Sequence, residues 1–133
     1  MGNCAGGFDG PVQYDPRLME VDIGDWQGLT HDQIARRWPG TYQAHETSFE
    51  LSLNAPEGER YPSLVNRVSA FVSALATPAL VVTHGITSSV LRGLLLGLEF
   101  DEMAWLGPDQ GVVFAIDSGM ETILRPASVG PMA

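Results

Sequence analysis

A histidine with the potential for chemistry lies between two apolar runs, in the stretch "PALVVTHGITSSVLRGLLLGL" (residues 78–98). Residues 79–82 ("ALVV") are apolar and rich in β-branched side chains, which predicts a buried strand. After His84, apolar residues recur at a helical spacing, which predicts a helix that begins near Gly85. A titratable ring at this junction is the first candidate for a functional group.

The chain alternates between helix and strand around His84, which indicates an α/β layer structure with a buried sheet. In open sheets of this class, ligands bind beyond the carboxyl ends of the strands. The backbone N–H groups of Gly85, Ile86 and Thr87 follow directly, and a helix N-terminus favours an anion. The position of His84 therefore suggests that it faces a phosphate or a carboxylate, although a purely structural histidine stays an open alternative.

Two other chemistries receive little support. No metal ligand lies at local spacing from His84, since His31, His45 and Cys4 lie elsewhere, so we expect no zinc site. Serines follow His84, but no G-x-S-x-G nucleophile motif occurs.

Composition excludes several classes of function. The 133 residues predict one domain, and 44% hydrophobic with 17% charged residues is typical of a folded protein. Sixteen acidic and seven basic residues give a net charge of −9, which opposes binding to nucleic acid and to anionic membranes. All the basic residues are arginine. The absence of lysine excludes a Schiff base to a pyridoxal cofactor and a lysine-containing phosphate loop.

The sequence also predicts a location. A single cysteine, Cys4, cannot form a disulfide within the chain, as expected in a reducing compartment. We find neither a secretion signal nor an apolar run of the ~18–20 residues that span a membrane, so we expect a cytoplasmic protein. Residues 1–10 are glycine-rich, and we expect them to be poorly ordered.

Further elements follow from local patterns. Thr30 and Gln33 form a capping-box pattern, which predicts a helix that ends at Pro39 and Gly40. A second, amphipathic helix opens near Pro62, and "GVVFAID" and "ETILR" predict a hairpin around "SGM". We expect Trp26 to be a packing residue and Arg92 to be a surface or packing residue.

Three segments in this order resemble the histidine phosphatase, or phosphoglycerate mutase-like, family. They are "DPRLMEVDIGDWQGLTHDQI" (15–34), "APEGERYPSLVNRVSAF" (55–71) and "VVTHG" (81–85). The resemblance extends from about residue 11 to residue 125. It implies an α/β fold in three layers, a phosphoglycerate mutase-like sheet with helices on both faces.

The resemblance also implies roles. Family members transfer a phosphoryl group from a small phosphorylated metabolite to a histidine, then to water or a hydroxyl, with no cofactor or metal. Glu20 matches the acid/base that protonates the leaving oxygen, and His84 matches the histidine that contacts the phosphoryl oxygens. The backbone of Gly85 and Ile86 then binds substrate. Arg17 either meets the substrate anion or pairs with Glu20.

One departure from the family stands out. Its nucleophile lies in an Arg-His-Gly motif, whereas His31, His45 and His84 follow Thr, Ala and Thr. We therefore expect residues 1–133 to form a single incomplete domain that lacks the family's first strands and helix. Such a chain has no phosphohistidine turnover alone. Its strand at residues 79–82 has an unpaired apolar edge, which invites self-association.

Three interpretations remain open. The chain is a C-terminal portion of a histidine phosphatase-like enzyme, or a non-catalytic remnant that binds an anion or a protein. Alternatively, it is a complete small α/β domain in which Glu20 and His84 are structural. The sequence does not separate phosphatase from mutase activity and does not name the substrate.

Overall fold

A computed structural model describes residues 10–107 and 109–127. Cys4 and nearly all of the segment predicted to be poorly ordered lie outside the described residues. Two short 3-10 helices come first, at Pro16–Leu18 and Gly24–Trp26. The remaining elements are α1 (His31–Arg37), α2 (Pro39–Ala44), α3 (Ser48–Ser52), α4 (Tyr61–Ala74), α5 (Gly85–Leu96), α6 (Phe100–Met103), β1 (Val113–Asp117) and β2 (Met120–Leu124). The mixed α/β class is thus confirmed.

The first predicted helix is confirmed at its start. The Thr30 hydroxyl accepts from the Gln33 N–H, and the Gln33 side chain accepts from the Thr30 N–H, so the capping box is formed. Its predicted end is only partly right, because Pro39 opens α2 as its first residue. A proline at that position gives up no helical hydrogen bond, since the first N–H groups of a helix have no partner within it.

The main core lies where α4 packs against α5. Leu64 and Val68 of α4 and Val90 of α5 are fully buried, and Met103 of α6 closes the same cluster. A smaller cluster forms around Trp26, which is 2% exposed and lies 5.9 Å from the Trp38 ring. The prediction that Trp26 is a packing residue is confirmed.

The predicted hairpin is confirmed as an antiparallel pair, with Val113 opposite Leu124. Ser118 and Gly119 make its tight turn, and both have positive φ, 53° and 76°. Arg92 of α5 connects this hairpin to the helix. It donates from Nε and Nη2 to the Glu121 carboxylate, at 2.8 Å each, and its guanidinium lies 3.5 Å from the Phe114 ring centroid. Arg92 is therefore a packing residue.

Residues 79–82 differ from the prediction of a buried strand. They belong to no helix or strand, and Leu80 and Val82 are 59% and 86% exposed, whereas Val81 packs against the core. A strand is stable only beside a hydrogen-bonded neighbour. Among residues 10–107 and 109–127, only β1 and β2 pair in a sheet.

Candidate functional site

The site is built around the carboxylate of Glu20, which lies against the first turn of α5. Its Oε2 accepts from the Ile86 N–H at 3.1 Å, and its Oε1 accepts from the Thr87 N–H at 3.0 Å. These are two of the N–H groups that a helix start leaves without internal partners, and the helix dipole favours negative charge there. Glu20 thus acts as a cap that comes from a distant part of the chain.

Two threonines of the α5 region bind the chain that carries Glu20. The Thr87 hydroxyl, fully buried, donates to the Met19 carbonyl at 2.7 Å, and its oxygen lies 3.1 Å from Glu20 Oε1. The Thr83 hydroxyl donates to the Leu18 carbonyl at 2.6 Å. The sequence offered a signal for these contacts, because hydroxyl side chains lie one residue before and three residues after His84.

His84 lies at the same helix end. It is the N-cap residue of α5, with extended backbone (φ −113°, ψ 167°), and it is exposed. Gly85 follows it, and a Cβ added there would lie 3.9 Å from Glu20 Oε2, an ordinary contact. The structure therefore brings Glu20, His84, Gly85 and Ile86 together, and the Ile86 N–H is engaged by Glu20. We call these four residues and Thr87 the Glu20 site.

Arg17 does not pair with Glu20. Its Nε and Nη2 donate to both carboxylate oxygens of Asp15, at 2.7–3.2 Å, and its guanidinium lies 5.7 Å from the Phe71 ring centroid. The hydrogen bonds from Arg17 hold the pKa of the Asp15 carboxyl below its usual value. Of the two alternatives for Arg17, pairing with Glu20 is excluded in this arrangement.

A further arginine, Arg67 of α4, was not among the residues predicted from the sequence. Its Nη1 donates to the carbonyls of Arg17 and Met19 at 2.8 Å each, while Nε and Nη2 donate to the Glu59 carboxylate at 2.9 and 2.8 Å. One sequence signal could have identified Arg67. It is a charged residue on the apolar face of α4, three residues after the fully buried Leu64.

The loop before α4 supports the chain after Glu20. The Glu59 N–H donates to the Asp22 carbonyl at 2.8 Å, and the Asp25 N–H donates to the Pro56 carbonyl at 2.9 Å. A Cβ added to Gly58 would lie 2.6 Å from the Asp22 carbonyl oxygen, so this approach needs glycine. A cleft of about 480 Å³ opens beside Glu20, lined by acidic side chains and by Arg67.

Within residues 10–107 and 109–127, no three His, Cys, Asp or Glu side chains lie close enough together to hold a metal ion. In the same ranges, no helix has both the length and the apolar character that crossing a bilayer requires.

Comparison with known proteins shows that the sequence matches a known family. The family model of the histidine phosphatase superfamily (branch 1) matches the sequence over residues 2–123.

Two curated relatives share close to a third of the aligned residues with this chain. The glucosyl-3-phosphoglycerate phosphatase of Mycolicibacterium vanbaalenii is 31% identical over 109 residues, which cover 73% of this chain and 48% of that protein. The adenosylcobalamin/alpha-ribazole phosphatase of Escherichia coli is 30% identical over 112 residues, which cover 80% and 55%. The chain thus spans about half the length of these relatives.

A solved structure shows the same fold. Bacillus stearothermophilus YhfR superimposes with a TM-score of 0.61 at 26% identity, covering 87% of this chain and 61% of that one. The expected fold of the histidine phosphatases is therefore confirmed.

Proposed function

Because this chain belongs to the histidine phosphatase superfamily, we propose that its Glu20 site is the acid/base and phosphoryl-contacting part of a phosphomonoesterase or phosphoglycerate mutase-like centre. The substrate class is a small phosphorylated metabolite, and the location is the cytoplasm, where a single cysteine stays reduced. Both named relatives are phosphatases, which supports hydrolysis.

One observation carries this proposal. The Glu20 carboxylate is held at the start of α5 by the N–H groups of Ile86 and Thr87, immediately after His84. A general acid must be held close to the oxygen that it protonates. We infer that His84, which is exposed and directly precedes α5, contacts phosphoryl oxygens and offsets the charge that develops on them.

Of the other predicted residues, we propose that Gly85 and Arg17 also contact the phosphoryl group. Gly85 offers its N–H at the open end of α5, while Ile86 acts through its bond to Glu20. Asp15 engages Nε and Nη2 of Arg17, and the Arg17 side chain is 36% exposed, so Nη1 can donate to a phosphate oxygen. A planar guanidinium suits phosphate, although the Asp15 carboxylate offsets the positive charge of Arg17.

The nucleophile is not among these residues. No histidine of the chain lies in an Arg-His-Gly motif, so we propose that the chain alone forms no phosphohistidine. A fusion in which an N-terminal segment of a superfamily member with this motif is joined ahead of Pro11 should hydrolyse phosphomonoesters. Loss of a nucleophile costs several orders of magnitude in rate, so the gain is readily measured.

The same fusion tests the roles of both residues. Glu20→Gln should slow hydrolysis of an alkyl phosphate, whose leaving group needs a proton, by about 100-fold or more, but should affect p-nitrophenyl phosphate much less. His84→Ala should slow both, and His45→Ala serves as the control. A folded, active fusion that tolerates Glu20→Gln and His84→Ala would overturn the proposal.

A second candidate function is a non-catalytic remnant that binds an anion or a protein. It is favoured by the exposed Leu80 and Val82, in a segment that pairs with no strand of the described residues. We propose that this segment also mediates self-association. A fusion that folds and binds phosphate but never turns over substrate would favour the remnant.

A further inference from the structure

Residues 17–20, which we call the Glu20 segment, belong to no strand or α-helix. Its first two residues end the short 3-10 helix Pro16–Leu18, and residues 19–23 belong to no helix or strand. Backbone carbonyls need hydrogen-bond donors when they are removed from water. In this segment, the donors are side chains that lie far away in the sequence.

Three consecutive carbonyls are bound in this way. Arg67 donates to the carbonyl of Arg17, Thr83 donates to that of Leu18, and Arg67 and Thr87 both donate to that of Met19. The Glu20 carbonyl lies 3.4 Å from Arg67 Nη2, a long contact. Arg67 is the only member of this group on α4, so it joins the Glu20 segment to the core helix.

The Glu59 carboxylate fixes the guanidinium itself. Glu59 accepts from two nitrogens of Arg67 and from the Ser63 hydroxyl at 2.9 Å, and its N–H donates to the Asp22 carbonyl. A guanidinium is planar and carries five N–H donors, so one arginine can bind a carboxylate and two carbonyls at once. A lysine in its place has a single nitrogen and cannot bridge the same set.

We propose that Arg67 is a positioning residue that aims the Glu20 carboxylate at the N-terminus of α5. It acts through the carbonyls of Arg17 and Met19 and touches neither the carboxylate of Glu20 nor a reacting atom. The catalytic importance of this role rests on the proposed function. The position of the Glu20 carboxylate, however, can be measured in the chain without any turnover.

Amide hydrogen exchange of the first turn of α5 tests the proposal. The Ile86 and Thr87 N–H groups have no partner within the helix, so their protection reports on Glu20. We expect Arg67→Lys and Arg67→Ala to speed their exchange about tenfold or more relative to Val90, which lies deeper in the same helix. Arg67→Lys covers the case in which Arg67→Ala does not fold.

Arg92→Lys is the matched control, because Arg92 is also an ion-paired arginine with a bidentate glutamate partner. It should lower global stability but leave the ratio of Ile86 and Thr87 exchange to Val90 exchange unchanged. Glu20→Gln, which keeps a single acceptor oxygen, should speed the exchange of one of these two amides. If a folded Arg67→Lys variant keeps the parental ratio, Arg67 does not position Glu20. That outcome leaves the proposed function standing, because it depends on Glu20 and His84 and is tested by turnover.

Discussion

The Glu20 carboxylate accepts a hydrogen bond from the Thr87 backbone N–H at 3.0 Å, across 67 positions of sequence. This bond connects the segment that carries a candidate acid to the helix that follows a candidate phosphoryl-binding histidine. Sequence patterns predict that the N-terminus of α5 binds substrate, and in the structure it also binds the carboxylate of Glu20. The electrostatic preference for an anion is the same in both cases.

We predict that Glu20→Gln destabilises the fold. A glutamine has one acceptor oxygen, so its NH₂ would face either the Ile86 or the Thr87 donor and leave it unpaired. The expected loss is about 1–3 kcal/mol in the free energy of unfolding. Urea denaturation measures it, with the exposed Glu57→Gln as control. Equal stability of the two variants would show that the cap contributes nothing.

A second prediction concerns Arg92 and Glu121, whose side chains are 7% and 15% exposed. Removing one partner leaves the other charge in a poorly hydrated place, so Glu121→Ala should cost about 3 kcal/mol. Asp109→Ala breaks an ion pair whose side chains are 62% and 41% exposed, and it should cost about 1 kcal/mol or less. Thermal unfolding of both variants compares them directly, and similar losses would contradict the anchoring role of Arg92.

The Glu59 pair makes stability depend on acid pH. Hydrogen bonds from Arg67 are the largest cause that lowers the pKa of Glu59 below its ordinary value of 4.5, against the opposing effect of burial. A carboxyl of this kind stabilises the folded state above its ordinary pKa. That contribution is lost as the pH falls through the lowered value.

Glu59→Gln should therefore be less stable at neutral pH and lose less stability on acidification from about pH 5 to pH 2. Urea unfolding at several pH values measures both slopes, and Glu57→Gln provides the reference. Parallel curves for the Glu59→Gln variant and the parent chain would exclude this pair as a source of acid sensitivity.

Self-association is predicted to run through residues 79–82. Val82 is 86% exposed and Leu80 is 59% exposed, and unpaired apolar backbone favours pairing with another chain. Val82→Lys should reduce the concentration-dependent mass measured by sedimentation velocity. Val12→Lys, at a residue 67% exposed elsewhere, should not. A parent chain that stays monomeric at every concentration would refute this prediction.

Local patterns predicted much of the fold. The capping box at Thr30, the amphipathic α4, the start of α5 at Gly85 and the hairpin turn each depend on residues that are close in sequence. The strand at residues 79–82 was wrong as a buried element, because burial of a strand depends on neighbours that its own sequence does not supply.

The main residues of the Glu20 site were predicted from the sequence, but the hydrogen bonds that hold them in place were not. Motif resemblance pointed to Glu20 and His84, whereas the partners of Arg17 and the part played by Arg67 depend on long-range packing. Arg67 reaches carbonyls 48 and 50 positions away, and a carbonyl has no sequence signature.

The most direct test of the central claim is a titration of the chain with inorganic phosphate, followed by ¹H–¹⁵N NMR. If Glu20 and His84 surround one oxyanion pocket, the amide shifts of His84 and Gly85 change with phosphate. These changes disappear in His84→Ala and persist in His45→Ala. Phosphate that leaves the start of α5 unperturbed, or perturbs it equally in His84→Ala, would contradict the account.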